Sequence, residues 1–160
     1  MFGISPLGWL HTLGSLPAIP AAIYMLIRYG RIVPRFKAGL LYFIGMTIGA
    51  LTVFMVAKTP VSSVACAITL LVLFAGYGVE YLAFLGRARK YLETAFLTLS
   101  VFLLMVPSVS ETLRRVPDGH PIASDPGSPI LKVALGSLLL MLIIGLPTQI
   151  IYLRRRLKRA

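Results

Sequence analysis

Ionisable side chains inside long apolar stretches are the first candidates for chemistry in this sequence, because a charge in hydrocarbon is costly unless pairing or function retains it. His11, Glu80 and Glu111 are such residues. His11 and Glu111 are expected at similar depth near one surface. A contact between them, with Arg114 or Arg115 nearby, would form a small outward-facing ligand pocket. The alternative is that each side chain reaches interfacial water separately.

A polar stripe along one predicted helix is a second candidate. Its members recur at helical spacing and therefore share one face; they are Glu93, Leu97, Ser100, Leu104, Pro107, Ser108, Glu111 and Arg115. We expect this stripe to face the interior of a helical bundle. There it either lines a cavity or makes interhelical hydrogen bonds, with its two carboxylates at the interfaces.

Glu80 is expected near the opposite surface, close to the basic loops of the chain. The simplest expectation for a carboxylate in that position is an ion pair with a loop arginine. Arg28, Arg31 and Arg87 are the candidate partners.

Cofactor and metal sites find little support in the sequence. A bis-histidine haem needs a histidine on each of two facing helices, whereas the chain has only His11 and, in a loop, His120. Haem ligation by His11 and Met105 stays open as an alternative. No close spacing of metal ligands, no disulfide partner for Cys66 and no catalytic motif is present, so the sequence favours a non-enzymatic role without a metal.

The elements that must position these side chains are long apolar helices. Hydrophobic residues form 58% of the 160 residues and charged residues 13%, more apolar surface than one soluble domain buries. The apolar blocks are about twenty residues long, as a helix needs to cross a bilayer core. We predict an all-α, polytopic bundle of five transmembrane helices in a single domain, with spans at Leu7–Ile27, Ala38–Ala57, Val61–Phe84, Thr94–Leu113 and Ile130–Leu153.

Positive charge predicts the orientation of the bundle. With the N-terminus outside, twelve Lys and Arg fall on the inner face and four on the outer face, a strong positive-inside bias. The basic tail 154–160 is then cytoplasmic, and the Pro-rich loop 114–129 is outside. No Lys or Arg precedes the first apolar run, which favours an uncleaved first span. The basic residues flank apolar blocks, so anionic lipid headgroups of the plasma membrane are expected partners and nucleic acid is not.

Small residues in the first two spans predict close helix packing. Gly14, Ala18 and Ala22 share one face of span one, and Gly45 and Gly49 share one face of span two. Such spacing lets helix backbones approach closely in lipid. Packing within the chain is the first interpretation, and homodimerisation is the second.

Three stretches resemble a family of uncharacterised bacterial multi-pass membrane proteins. They are His11 to Pro20, the basic loop Arg28 to Arg35 followed by Gly39 and Tyr42, and Tyr91 to Asp118. That family is distantly similar to the helical bundles in which b-type cytochromes hold haem. The resemblance implies a bacterial inner-membrane location and the five-span topology, but it implies no function.

Three hypotheses for function follow from these patterns. The first is a non-enzymatic accessory subunit or self-associating bundle without a cofactor. The second is a redox or ligand-binding protein that uses the pocket of His11 and Glu111. The third is a transporter of protons or a small solute along the polar stripe, working as an oligomer.

Overall fold

A computed structural model describes residues 6–56, 60–117, 119–123 and 125–158. Within these ranges the chain is all-helical and contains no strand. It includes two short 3₁₀ turns, Val79–Tyr81 and Ala83–Leu85. The α-helices are α1 Pro6–Ser15, α2 Ala18–Tyr29, α3 Lys37–Val56, α4 Pro60–Gly78, α5 Ala88–Arg115 and α6 Pro129–Leu157.

Five helical segments of the described chain are long and apolar enough to cross a membrane. The first of them combines α1 and α2, which are separated by a turn at Leu16 and Pro17. Proline lacks a backbone N–H and its ring obstructs the preceding turn, which explains the break. The five segments match the predicted number, although their bounds differ from those expected.

Two of those bounds differ for identifiable reasons. The fourth segment begins at Ala88 and not at Thr94, because a basic and polar first turn extends the helix beyond the apolar block. The third was expected to reach Phe84, but α4 ends at Gly78 and continues as 3₁₀ turns. The predicted end of the second span, Ala57, lies outside the described residues, as do Lys58 and Thr59 of the loop that follows.

Successive segments pack against each other in chain order. Both α1 and α2 contact α3, which contacts α4; α4 in turn contacts α5, and α5 contacts α6. A hydrogen bond of 2.8 Å between the Tyr42 hydroxyl and Ser100 Oγ joins α3 to α5 across the bundle. The buried core forms around this contact and includes Met25, Met46, Leu73 and Leu97.

Small residues allow α1 and α2 to approach α3 closely. A Cβ at Gly14 would lie 2.5 Å from Ile48 Cγ2, one at Gly45 would lie 3.1 Å from Ala18 Cβ, and one at Gly49 would lie 2.7 Å from Ser15 Cβ. Ala18 and Ala22 are buried. The small residues named from the sequence therefore serve contacts within this chain.

The interior is concentrated toward one end of the bundle. This end, called here the basic end, comprises the loop 30–36, the 3₁₀ turns with the start of α5, and the last turns of α6. On α5 the buried side chains run from Glu93 to Leu104, whereas Pro107 and Glu111 beyond them are exposed. The polar stripe of α5 thus faces the interior over only half of its length.

The close approach of α1 to α3 can be tested with two glycines. We expect Gly49→Leu to lower the stability of the protein by about 1–3 kcal/mol, because the new side chain overlaps Ser15. Gly136→Leu on α6 is the control, since no atom lies within 4 Å of a Cβ there. Thermal unfolding in mild detergent measures both, and equal effects of the two substitutions would contradict the packing described.

Candidate functional site

The basic end contains a buried carboxylate paired with an arginine. Glu93 is 2% exposed, and its Oε1 lies 2.7 Å from Nη1 of Arg31. Arg31 follows Gly30, which ends α2 in the left-handed conformation that glycine adopts readily. The short turn after α2 therefore places the guanidinium against the second turn of α5. A charge so deeply buried requires such a partner.

Glu80 belongs to the same ionic cluster. Its Oε1 lies 2.6 Å from Arg35 Nη1 and 3.0 Å from Lys90 Nζ, and Lys90 also lies 4.0 Å from Glu93 Oε2. We define the ionic cluster as Arg31, Arg35, Glu80, Lys90 and Glu93. It joins the loop after α2, the turn after α4 and the first turns of α5.

This pairing differs from the one expected for Glu80. Arg31 contacts Glu93 instead, and Arg28 and Arg87 are exposed. The reason is the 3₁₀ turn at Val79–Tyr81, which directs Glu80 toward the loop 33–36 and the start of α5. A sequence periodicity based on a continuous α-helix cannot locate that turn.

Aromatic contacts hold the exposed arginine of the cluster. The guanidinium of Arg35 lies 5.8 Å from the ring centre of Tyr81, a cation–π distance. Beside it, the rings of Tyr29 and Phe36 stack with centroids 5.1 Å apart. The hydrogen bond from Arg35 to the Glu80 carboxylate raises the pKa of Arg35 further above its usual value, so the cation persists at any physiological pH.

His11 contacts α3 rather than Glu111. Its Nδ1 lies 3.0 Å from the carbonyl oxygen of Gly49 and 2.9 Å from Thr52 Oγ1. The Thr52 hydroxyl donates to the carbonyl of Ile48 at 2.7 Å, so the imidazole Nδ1–H is the donor in these contacts. The close packing of α1 on α3 makes this arrangement, and the structure does not assemble the expected pocket of His11 and Glu111.

Glu111 instead forms a local cluster on α5. Its carboxylate pairs with Arg115 one turn later and lies 3.9 Å from Arg114. The Glu111 side chain is half exposed, and so are the two arginines. Ser108 donates to the carbonyl of Leu104 in its own helix. Glu111, Arg114 and Arg115 form an exposed helix surface at the end of the bundle opposite the ionic cluster, and Ser108 beside them is half-buried.

Interhelical hydrogen bonds use the polar groups near the basic end. Ser100 pairs with Tyr42, Thr98 donates to Gln149 Oε1 at 2.6 Å, and Tyr77 donates to the carbonyl of Gly39 at 2.6 Å. From the sequence, Ser100 is a candidate site residue, whereas Tyr42 and Gly39 are named only for the family resemblance. The others are polar residues within apolar blocks, but nothing in their spacing identifies their partners.

Two recesses lie beside these contacts. A groove of about 280 Å³ between α2 and α5 has a mostly apolar lining: Ile19, Met105, Ser108, Val109, Thr112 and Leu113. A smaller cleft, called here the basic cleft, lies between the end of α2 and the last turns of α6. It is lined by Tyr29, Gly30, Arg31, Gln149, Tyr152, Leu153 and Arg156.

The structure offers no support for a metal site among the residues that it describes. Among the described residues no group of three His, Cys, Asp or Glu side chains is placed to hold a metal ion. Met105, named with His11 as a haem-ligand pair, lines the groove, whereas His11 contacts α3. Comparison of the chain with protein families, with curated proteins and with solved structures finds no match.

The buried pair in the ionic cluster can be tested against the exposed pair on the same helix. We expect Glu93→Gln to lower stability by about 3–5 kcal/mol, because Arg31 loses a buried counter-charge. Glu111→Gln removes the same charge from an exposed pair and should cost less than about 1 kcal/mol.

A double-mutant cycle in detergent measures the pairing itself. The combination of Glu93→Gln with Arg31→Gln should cost less than the sum of the two single changes, because either single change already removes the ion pair between the two residues. Additive losses would contradict a direct interaction between Arg31 and Glu93.

Proposed function

We propose that this chain is a plasma-membrane protein of bacterial type, with its N-terminus outside and its basic end at the cytoplasmic surface. The grouping of basic segments supports this orientation. Contacts join the loop 30–36, the start of α5 and the end of α6 at one end of the bundle. Eleven of the sixteen Lys and Arg lie in these segments or within two residues of them among the described residues. A surface so rich in cations is retained on the cytoplasmic side.

Cysteine labelling tests the orientation. Cys66 is the one cysteine of the sequence, so Cys66→Ser gives a background for single-cysteine variants. We expect Pro126→Cys, in the exposed loop before α6, to react with a membrane-impermeant maleimide in intact cells. Ala83→Cys, exposed at the basic end, should react only after lysis. The reverse pattern would contradict the proposed orientation.

Within that membrane we propose a non-enzymatic role, as an accessory subunit or a self-associating bundle. The observation that carries this proposal is the use of the interior polar groups. Glu93 pairs with Arg31, Ser100 with Tyr42, and Thr98 with Gln149. Each of these contacts joins different segments of the chain. The interior polar side chains of α5 therefore hold helices together and do not line a water-filled path.

The outer surfaces of the bundle are consistent with association in the membrane. Helix α6 buries only Leu131 and Leu153, and helix α4 buries only Leu73 and Gly76. Large apolar side chains on both helices are exposed, including Val64, Leu71, Ile143 and Ile144. In the proposed location these surfaces contact lipid or another membrane chain.

Proton flux separates this role from transport along the stripe. We expect liposomes containing the purified protein to show the same proton leak as protein-free liposomes, and we expect Glu111→Gln to change nothing. The physical reason is that the interior end of the stripe is closed by ion pairs and hydrogen bonds. A leak that depends on the protein and disappears in Glu111→Gln would contradict the proposal.

A further inference from the structure

The basic cleft has the chemistry of a phosphate site. Its lining includes two arginines, Arg31 from the turn after α2 and Arg156 from the end of α6. Gln149, also in the lining, accepts a hydrogen bond from Thr98 through Oε1, which leaves its amide NH₂ as a donor. Guanidinium and amide donors together suit the oxygens of a phosphate group.

The turn at Gly30 and the ring of Tyr152 adjoin each other in the lining of the cleft. Gly30 has a φ of 71° and ends α2, and a Cβ there would lie 3.9 Å from the ring of Tyr152. The guanidinium of Arg156 lies 4.8 Å from the centre of the same ring. The Tyr152 ring therefore supports Arg156, and the short glycine turn contributes Arg31 to the same cleft.

Of these two cations, only Arg31 has a carboxylate partner within the described part of the chain. Glu93 is held by Arg31 and Lys90, and Glu80 by Arg35 and Lys90. Among the described ion pairs none includes Arg156. The cleft thus has surplus positive charge that an external anion would balance.

The level of the cleft along the bundle indicates which anion would reach it. Tyr152 and Leu153 belong to the final turns of the apolar helix α6, and Arg154, Arg155 and Arg156 follow directly. Tyrosine next to arginine at the end of a spanning helix is typical of the headgroup level of a bilayer. In the proposed orientation this level belongs to the cytoplasmic leaflet, which is rich in anionic lipid.

We propose that the basic cleft binds the headgroup phosphate of an anionic phospholipid, with Arg156 as the principal ligand and Arg31 and Gln149 as supporting donors. This inference rests on the proposed function, because the orientation places the cleft at the anionic leaflet. The bound lipid links the first and last spans of the bundle at their cytoplasmic ends. It therefore holds the end of α2 near the last turns of α6.

Lipid binding to the purified, delipidated protein in detergent tests the proposal. Native mass spectrometry measures how many phosphatidylglycerol or phosphatidylcholine molecules remain bound as lipid is titrated. We expect one tight phosphatidylglycerol site that Arg156→Gln weakens by at least about tenfold, since a charge-assisted hydrogen bond is lost. Arg155→Gln is the matched control, because it removes the same charge from the neighbouring residue outside the cleft.

Each contrary result overturns a distinct part of the proposal. Equal weakening by Arg156→Gln and Arg155→Gln would show that the lipid is attracted by the basic tail as a whole and is not bound in the cleft. Equal retention of phosphatidylcholine would remove the selectivity for anionic lipid, and displacement by millimolar inorganic phosphate would make free phosphate the ligand. Arg156→Lys, which keeps the charge, should recover part of the affinity and controls for folding. The assay in detergent does not depend on orientation, so the cysteine labelling reports failure of the proposed function separately.

Discussion

Burial of the Glu93 carboxylate imposes the strongest constraint on this bundle. An unpaired charge at that position would be far more costly than the stabilisation that surrounding packing can supply. Arg31 reaches it only because α2 ends at Gly30 and the chain turns at once toward α5. The lengths of α2 and of the following loop, and the direction of α5, are therefore coupled to one ion pair.

The same end of the molecule contains most of the buried interior. The Tyr42 and Ser100 contact lies about two turns along α5 from Glu93, and the apolar core surrounds it. Toward the opposite end, α5 exposes Pro107 and Glu111.

Excess charge at the basic end gives the proposed function its physical basis. The two carboxylates of the ionic cluster are occupied by Arg31, Arg35 and Lys90, so the remaining cations face outward or into the basic cleft. An anionic membrane surface would balance that positive charge. In the proposed lipid site, Arg31 serves both lipid binding and the packing of helices.

The sequence by itself determined the helical class, the number of apolar segments and the residues that let helices approach closely. These properties depend on the length of apolar blocks and on residue size, both of which are local. The sequence also predicted that the stripe of α5 faces the interior, which holds as far as Leu104, because helical periodicity alone places its members on one face. Only the tertiary structure decided which polar groups meet. His11 contacts Thr52, Glu80 contacts Arg35, and Arg156 shares a cleft with Arg31, because those partners depend on helix breaks and crossing positions that no local pattern encodes.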